Sequence, residues 1–291
     1  MIRAVIDIGT NSVRLLTAEK LPNGEWHTLQ KGLNASRLGE GMTLHSGLSE
    51  AACCRTMEAV MQFAEEAKAA GADEIRAYGT EILRASPQGK AFAAMAEEKT
   101  GIPVEILSGE MEAFYSYFGA VTDVGGGSTE VCMGFAPPIG YRHSFPIGCV
   151  RCSGLFDTTT ARGIGELKKY CFQKFQESKD LAPVKHWICV GGTATSMAAM
   201  LQELETYDAA KVQDYVIQQE DVPRLLKELY QMSYEDRCHV KGLRADRADI
   251  IVAGVAIIDS LMEYFALPEI TVSDRGLTEG LLDADVVKPE L

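Results

Sequence analysis

Two short stretches of the chain set glycine, hydroxyl and carboxylate groups at matching spacing: Asp7-Ile-Gly-Thr-Asn-Ser12 and Asp123-Val-Gly-Gly-Gly-Ser-Thr-Glu130. Both read Asp, aliphatic, Gly, two residues, Ser. Glycine weakens a strand entropically and offers nothing to pack, so three in a row need a reason. A glycine-lined turn between strands exposes backbone N–H groups that can wrap phosphate oxygens. The candidate phosphate-binding set is therefore Gly9, Thr10, Asn11 and Ser12 in one turn, with Gly125, Gly126, Gly127, Ser128 and Thr129 in the other. Thr10, Ser12, Ser128 and Thr129 add hydroxyl donors. Asp7, Asp123 and Glu130, at strand ends, are candidate ligands for Mg²⁺, directly or through water. Two such turns facing each other across a cleft would clamp a chain of phosphates. The plain alternative is a pair of tight hairpins with polar tips. No G-x-x-x-x-G-K-[ST] run is present, so a Walker-type site is excluded.

Hydrophobic periodicity supplies elements to hold these turns. AVIDIG (4–9) and VRLLTAEK (13–20) read as strands, and PNGE (22–25) as a hairpin into WHTLQKGL. From Ser49 to Gly71 the pattern is helical, followed by a strand at 74–80, a helix at 89–100 and a strand at 103–107. Ser108 caps a third helix over about 109–120. The second half repeats the scheme: VTDVG, STEVCMGF and SFPIG, a helix at 164–176, a buried strand at 187–192, helices at 195–205 and about 246–266, and a last strand at 269–273. Strands first and helices after, twice over, predict two similar α/β halves with a boundary near residue 121. Helix EMEAFYSYFGAV meets strand VTDVGGG with almost no connecting residues, where a few are normal.

Composition narrows the function classes. The chain has 291 residues, 46% hydrophobic and 24% charged, as expected of two globular domains. With 41 acidic and 28 basic residues the net charge is −13, which disfavours nucleic acid and anionic membrane as partners. A local site can still override that field for a small anion. The longest apolar run, Ile250–Ile258, is too short for a bilayer span, and no secretory pattern opens the sequence. The eight scattered cysteines are then expected as reduced thiols in a cytoplasmic protein. Cys149-Val-Arg-Cys152 has no second pair or nearby His to complete a zinc set. Cys189-Val-Gly-Gly-Thr-Ala-Thr-Ser196 either lines a cleft or packs a helix close to a strand. Arg244, Asp246, Arg247 and Asp249 read as a helix start, and Asp274-Arg275 either rims the cleft or merely ends a strand.

Nine segments together resemble one family: AVIDIGTNSVRLL, RLGEGM, YGTEILRAS, EILSGEMEAFYSYFGAV, DVGGGSTEV, SFPIGCVR, VGGTATSMAAM, KGLRADRADIIVAGVAII and ITVSDRGLTEGLL. The chain is similar to the exopolyphosphatase/guanosine pentaphosphate phosphatase family, within the superfamily of sugar kinases, actin and heat-shock chaperone ATPases. The resemblance implies two ribonuclease-H-like domains with a cleft between them, residues 1–120 joined by a returning C-terminal helix (278–291), and residues 121–277. Ending after DRGLTEGLL, the chain resembles the family's short two-domain form. The implied activity is Mg²⁺-dependent removal of the terminal phosphate of polyphosphate, or of the γ-phosphate of pppGpp, which would be its partners.

By the same resemblance, the family's catalytic glutamate in S-G-x-E-E-A falls on Glu112 of SGEMEA, with Met111 replacing the preceding glutamate. Its arginine in T-x-x-L-R-x-A falls on Arg84, and its metal-site acids on Asp123 and Glu130. Without the resemblance, Glu112 is a first-turn carboxylate favoured by the helix dipole and Arg84 a solvated charge. The expected roles are Glu112 as base, Arg84 screening charge and the two turns holding phosphates. The rivals are an ATP-dependent kinase or ATPase with adenosine over VGGTATS, and a non-catalytic polyphosphate or (p)ppGpp sensor. Chain-length preference is left open, as is a homodimer through the apolar final helix.

Overall fold

The computed structural model describes residues 1–41, 47–117, 122–133, 141–178 and 187–284. The first unit begins with a three-strand meander, β1 (Ile2–Ile8), β2 (Val13–Lys20) and β3 (Trp26–Asn34). Then come α1 (Glu50–Ala69), β4 (Glu74–Gly79), α2 (Glu81–Ala85), α3 (Gly89–Thr100), β5 (Val104–Ile106) and α4 (Gly109–Tyr117). The sheet order is β3-β2-β1-β4-β5, with β1, β4 and β5 parallel. Period-two alternation sends Ala4, Ile6 and Ile8 into one core with α1 and α3. Val5, Leu16 and Ala18 face the other way into a second core. Asp7, two residues beyond Val5, shares that second face. Ser49 caps α1 by accepting the Ala52 N–H, and Ser108 accepts the Met111 N–H at the start of α4.

The second unit repeats the plan. It runs β6 (Thr122–Val124), β7 (Thr129–Met133), β8 (Tyr141–Phe145), α5 (Cys149–Leu155), α6 (Ala161–Phe175), β9 (Ile188–Val190), α7 (Gly191–Leu201) and α8 (Ala209–Val212). β10 (Val216–Gln218), α9 (Asp221–Gln231), α10 (Tyr234–Arg237), α11 (Ile251–Tyr264), β11 (Glu269–Val272) and α12 (Leu277–Leu281) complete it. Its sheet, β10-β11-β9-β6-β7-β8, carries the first sheet's order in β8-β7-β6-β9-β11 and adds β10 at the outer edge. The fold is thus α/β, two ribonuclease-H-like units each built on a meander and two parallel strands. The apolar helix α11 lies at the centre of the second core.

Two elements tie the units together. α4 leaves the first sheet and packs on β7, β8 and α12. α12 returns to β1 and β2, where Leu277, Leu281 and Leu282 meet Val5, Leu16, Phe114 and Tyr115. Trp26 Nε1 donates to Asp283 at 3.0 Å, and Lys20 pairs with the same carboxylate at 3.0 Å.

Several boundaries differ from the sequence expectation. α7 starts at Gly191, not Thr195, because Gly191 at φ +84° turns the chain from strand directly into helix. The helix expected from Asp246 begins at Ile251, after a separate 3₁₀ turn at Ala245–Arg247. α12 ends at Leu281, whereas the returning helix is expected over 278–291, of which only 278–284 fall among the described residues. The abrupt join at 118–121, the end of STEVCMGF and residues 285–291 lie outside the described residues.

Candidate active site

The two turns are built alike. In each, the first glycine N–H closes the turn onto the serine carbonyl: Gly9 to Ser12 at 3.0 Å and Gly125 to Ser128 at 3.0 Å. Those two amides are therefore not available to a ligand, contrary to the expectation for Gly9 and Gly125. The carbonyls are also taken. Thr10 O accepts Gly39 N–H (2.9 Å) and Asn11 O accepts Arg37 N–H (3.0 Å). Gly125 O accepts Cys149 N–H (3.0 Å), Gly126 O accepts Val150 N–H (2.9 Å), and Gly127 O accepts Arg151 Nε–H (2.9 Å). In a trans peptide the next N–H points opposite its C=O. Holding these carbonyls from behind aims the N–H groups of Asn11, Ser12, Gly126, Gly127 and Ser128 the other way. Among the described residues, those of Asn11, Gly126 and Gly127 have no acceptor.

The turns meet tip to tip, which accounts for the glycines. A methyl group on Gly126 would lie 3.0 Å from Thr10 Cβ and 3.2 Å from Asn11 N. One on Gly127 would overlap Glu81 Oε2 and sit 2.7 Å from Thr10 Oγ1. Both turns line one narrow cleft, together with Asp7, Glu81, Glu112, Asp123 and Glu130. Thr10, Ser12 and Ser128 line it too. Thr129 does not: its hydroxyl is buried and donates to Ile147 O at 2.6 Å, so it is no phosphate donor.

The carboxylates crowd one another. Asp123 and Glu130 sit directly opposite on β6 and β7, a like-charge pair that costs stability. Burial, with the Asp123 charge adding to it, pushes Glu130 up to about 8, although Ser144 donates to it at 2.6 Å. Burial also lifts Asp7 to about 6, against the pull of Arg14. Burial and then the charge of Glu130 raise Glu112 well above the carboxylate range, while Arg84 opposes them. Arg84 Nη1 lies 3.1 Å from Glu112 Oε2 and donates to Leu107 O at 2.6 Å. Arg84 thus braces Glu112 from behind and does not itself line the cleft.

The cations come from Arg14, which the sequence reading passes over, and from Arg247, which it reads only as part of a helix start. Arg14 and Arg247 line both the cleft and a larger adjoining cavity. Arg14 stands opposite Asp7 across β1 and β2, as Glu130 stands opposite Asp123, so aligning the two hairpins would have singled it out. Arg247 is buried, and its guanidinium has no ion pair among the described residues. No sequence signal separates it from its paired neighbour Arg244. Glu81 is bound on one oxygen by Arg151, while its Oε2 is buried without a partner. Asp274 and Arg275 line the larger cavity, as does the start of α7. Cys149 lines the cleft, and burial raises its thiol.

A hard cation fits part of this set. Asp7 Oδ1 is buried without a hydrogen-bond partner, and the opposed Asp123 and Glu130 carboxylates lack an intervening positive charge. Among the described residues, no three His, Cys, Asp or Glu side chains close into one coordination sphere. Mg²⁺ suits such a site, since it keeps several waters and takes one or two carboxylates plus substrate oxygens. No helix among the described residues is long and apolar enough to cross a membrane.

Known proteins resemble the chain in sequence and fold. Exopolyphosphatase 2 of Mycobacterium tuberculosis is 27% identical to the chain, covering 96% of each. The guanosine-5'-triphosphate,3'-diphosphate pyrophosphatase of Vibrio vulnificus is 29% identical over 96% of this chain and 58% of its own. Among solved structures, an exopolyphosphatase from Cytophaga hutchinsonii superposes with a TM-score of 0.89 at 25% identity, covering 99% of both chains. The Aquifex aeolicus Ppx/GppA family member gives 0.82 at 26%, covering 98% of this chain and 97% of its own. Residues 18–288 match the Ppx/GppA phosphatase family, and the chain belongs to it.

Proposed function

We propose that the protein is a cytoplasmic hydrolase that removes the terminal phosphate of inorganic polyphosphate, and of pppGpp where the larger cavity admits the nucleoside. The observation that carries this reading is the pair of turns whose carbonyls are held from behind, leaving opposed N–H groups in a cleft rimmed by carboxylates. The amides of Asn11, Gly126 and Gly127 hold the terminal phosphate, and Arg14 and Arg247 hold the next one along. The cavity they share with the cleft takes the rest of the substrate. Asp123 and Glu130, with Asp7 across the cleft, would hold Mg²⁺, which when bound neutralises phosphate charge during P–O cleavage. Glu112 accepts a proton from water as its oxygen attacks the terminal phosphorus. The P–O bond to the bridging oxygen breaks, and the electron pair leaves with the shortened chain. Burial raises Glu112 well above the carboxylate range and so makes it a stronger proton acceptor than an exposed carboxylate, and Arg84 keeps it aimed.

The test is phosphate release from long-chain polyphosphate, tripolyphosphate, pppGpp and ATP, with and without Mg²⁺. Release from polyphosphate or pppGpp that needs Mg²⁺ is expected. Turnover confined to ATP would move the protein to the kinase and ATPase class. Tight polyphosphate binding without release would make it a sensor.

A further inference from the structure

We propose that Arg37 is a positioning residue whose guanidinium clamps the second unit onto the first and keeps the two glycine turns face to face. Its backbone belongs to the first unit. Leu38 is fully buried in the core with α1, the neighbouring Ser36 hydroxyl accepts the Thr56 hydroxyl at 3.0 Å, and Arg37 N–H holds Asn11 O. Gly39 N–H holds Thr10 O. The segment that aims the first turn's amides is thus fixed to that unit. The Arg37 side chain leaves it and crosses to the start of α11, the central helix of the second core. Nη1 meets Asp249 Oδ2 at 2.5 Å, and Nη2 meets Asp249 Oδ1 at 3.0 Å and Asp246 O at 2.6 Å. A two-pronged arginine–carboxylate contact with a third bond fixes orientation as well as distance.

The backbone at this residue points the same way. Arg37 has φ +53°, a left-handed conformation that a glycine would hold without strain. An arginine there keeps the strain and gains only its side chain's reach. That reach ends on the other unit, so the side chain's use is between units rather than within one. Glu40, the nearest acid on the same loop, pairs instead with Arg55 and leaves Arg37 to Asp249.

The kinetic part of this inference rests on the phosphate-clamp reading above, but its structural part does not. The variants are Arg37→Gly, which removes the guanidinium and relieves the backbone, Asp249→Asn, and the exchange Arg37→Asp with Asp249→Arg. Each is measured for phosphate release from long-chain polyphosphate with Mg²⁺, and by small-angle X-ray scattering without substrate. Loss of the clamp lowers the closed fraction, and substrate must then close the cleft. KM should rise roughly five- to tenfold with kcat within about twofold, and the radius of gyration should increase. Thermal stability of Arg37→Gly should not fall. The exchanged pair should recover a wild-type KM and radius. A KM within twofold and unchanged scattering in both single variants would overturn the clamp. If the wild type released phosphate from none of the substrates, the functional reading would fail, and the scattering comparison would still decide the clamp.

Discussion

Glu112 has the burial of a core residue and the carboxylate of a surface one, and only its surroundings reconcile the two. Gln keeps its shape and hydrogen bonding but cannot take a proton from water. Glu112→Gln should therefore cost about two to four orders of magnitude in kcat while polyphosphate still binds, as measured by calorimetry. Turnover near the wild-type rate would shift the base to another carboxylate of the cleft, Glu130 first. Asp123→Asn should raise the Mg²⁺ concentration needed for half-maximal activity, since a neutral amide is a poor ligand for a hard cation. The acids also make stability depend on pH. Asp7 and Glu130 titrate higher folded, at about 6 and about 8, than in an unfolded chain. Their contribution to stability is complete below the ordinary carboxylate range and is lost as pH rises through those values. In EDTA, Tm should fall between pH 5 and 8.5 by roughly a few degrees, Mg²⁺ should restore it at the upper end, and Glu130→Gln should flatten the slope. A slope that is the same in Glu130→Gln and in the wild type would exclude Glu130 as its source.

Among the elements, the hairpin tips carry the tightest geometric demand. Gly127→Ala would push a methyl onto Glu81 and Thr10, so activity should drop at least about tenfold while the protein still folds. Gly165 in α6 is a control: nothing lies within 4 Å of a methyl there, and Gly165→Ala should raise Tm with activity unchanged. If the two substitutions act alike on activity, tip contact is not what the glycines provide. The hairpins were legible because the first one's strands are long and largely apolar and because the two tips repeat a pattern. α9 was legible too, with Val222, Leu225, Leu226 and Leu229 on one face, but the sequence reading passes over it. What the sequence hides is direction. Nothing in DIGTNS or DVGGGSTE says that Gly9 and Gly125 spend their N–H groups inside the turn or that Thr129 faces Ile147. Arg84 and Arg247 fail for the opposite reason. Each is a charge on a short polar segment, and only the packing of α4 and α11 decides which one lines the cleft.

At the scale of the molecule, a net charge of −13 surrounds a cleft that, on the proposed function, admits polyanions. Arg14 and Arg247 at its edge have to overcome that field locally, so association with polyphosphate should be slow at low ionic strength and quicken with moderate salt, as stopped-flow binding would show. A rate that falls steadily with salt would mean that the cleft's own field dominates. The return of α12 to the first sheet has a separate consequence, for synthesis on the ribosome. The first unit's own strands are complete once residue 106 has been made, yet the cover over Val5, Leu16 and Ala18, begun by Phe114 and Tyr115, is finished only by residues 277–284. At roughly 5–20 residues per second that last cover arrives roughly ten to thirty seconds later, and until then part of this face of the sheet stays greasy and open. The nascent chain is thus a natural client for holding factors throughout the making of its second half. A message cut short before codon 277 would yield a protein with both turns present but a permanently sticky face, one that quality control can recognise by touch.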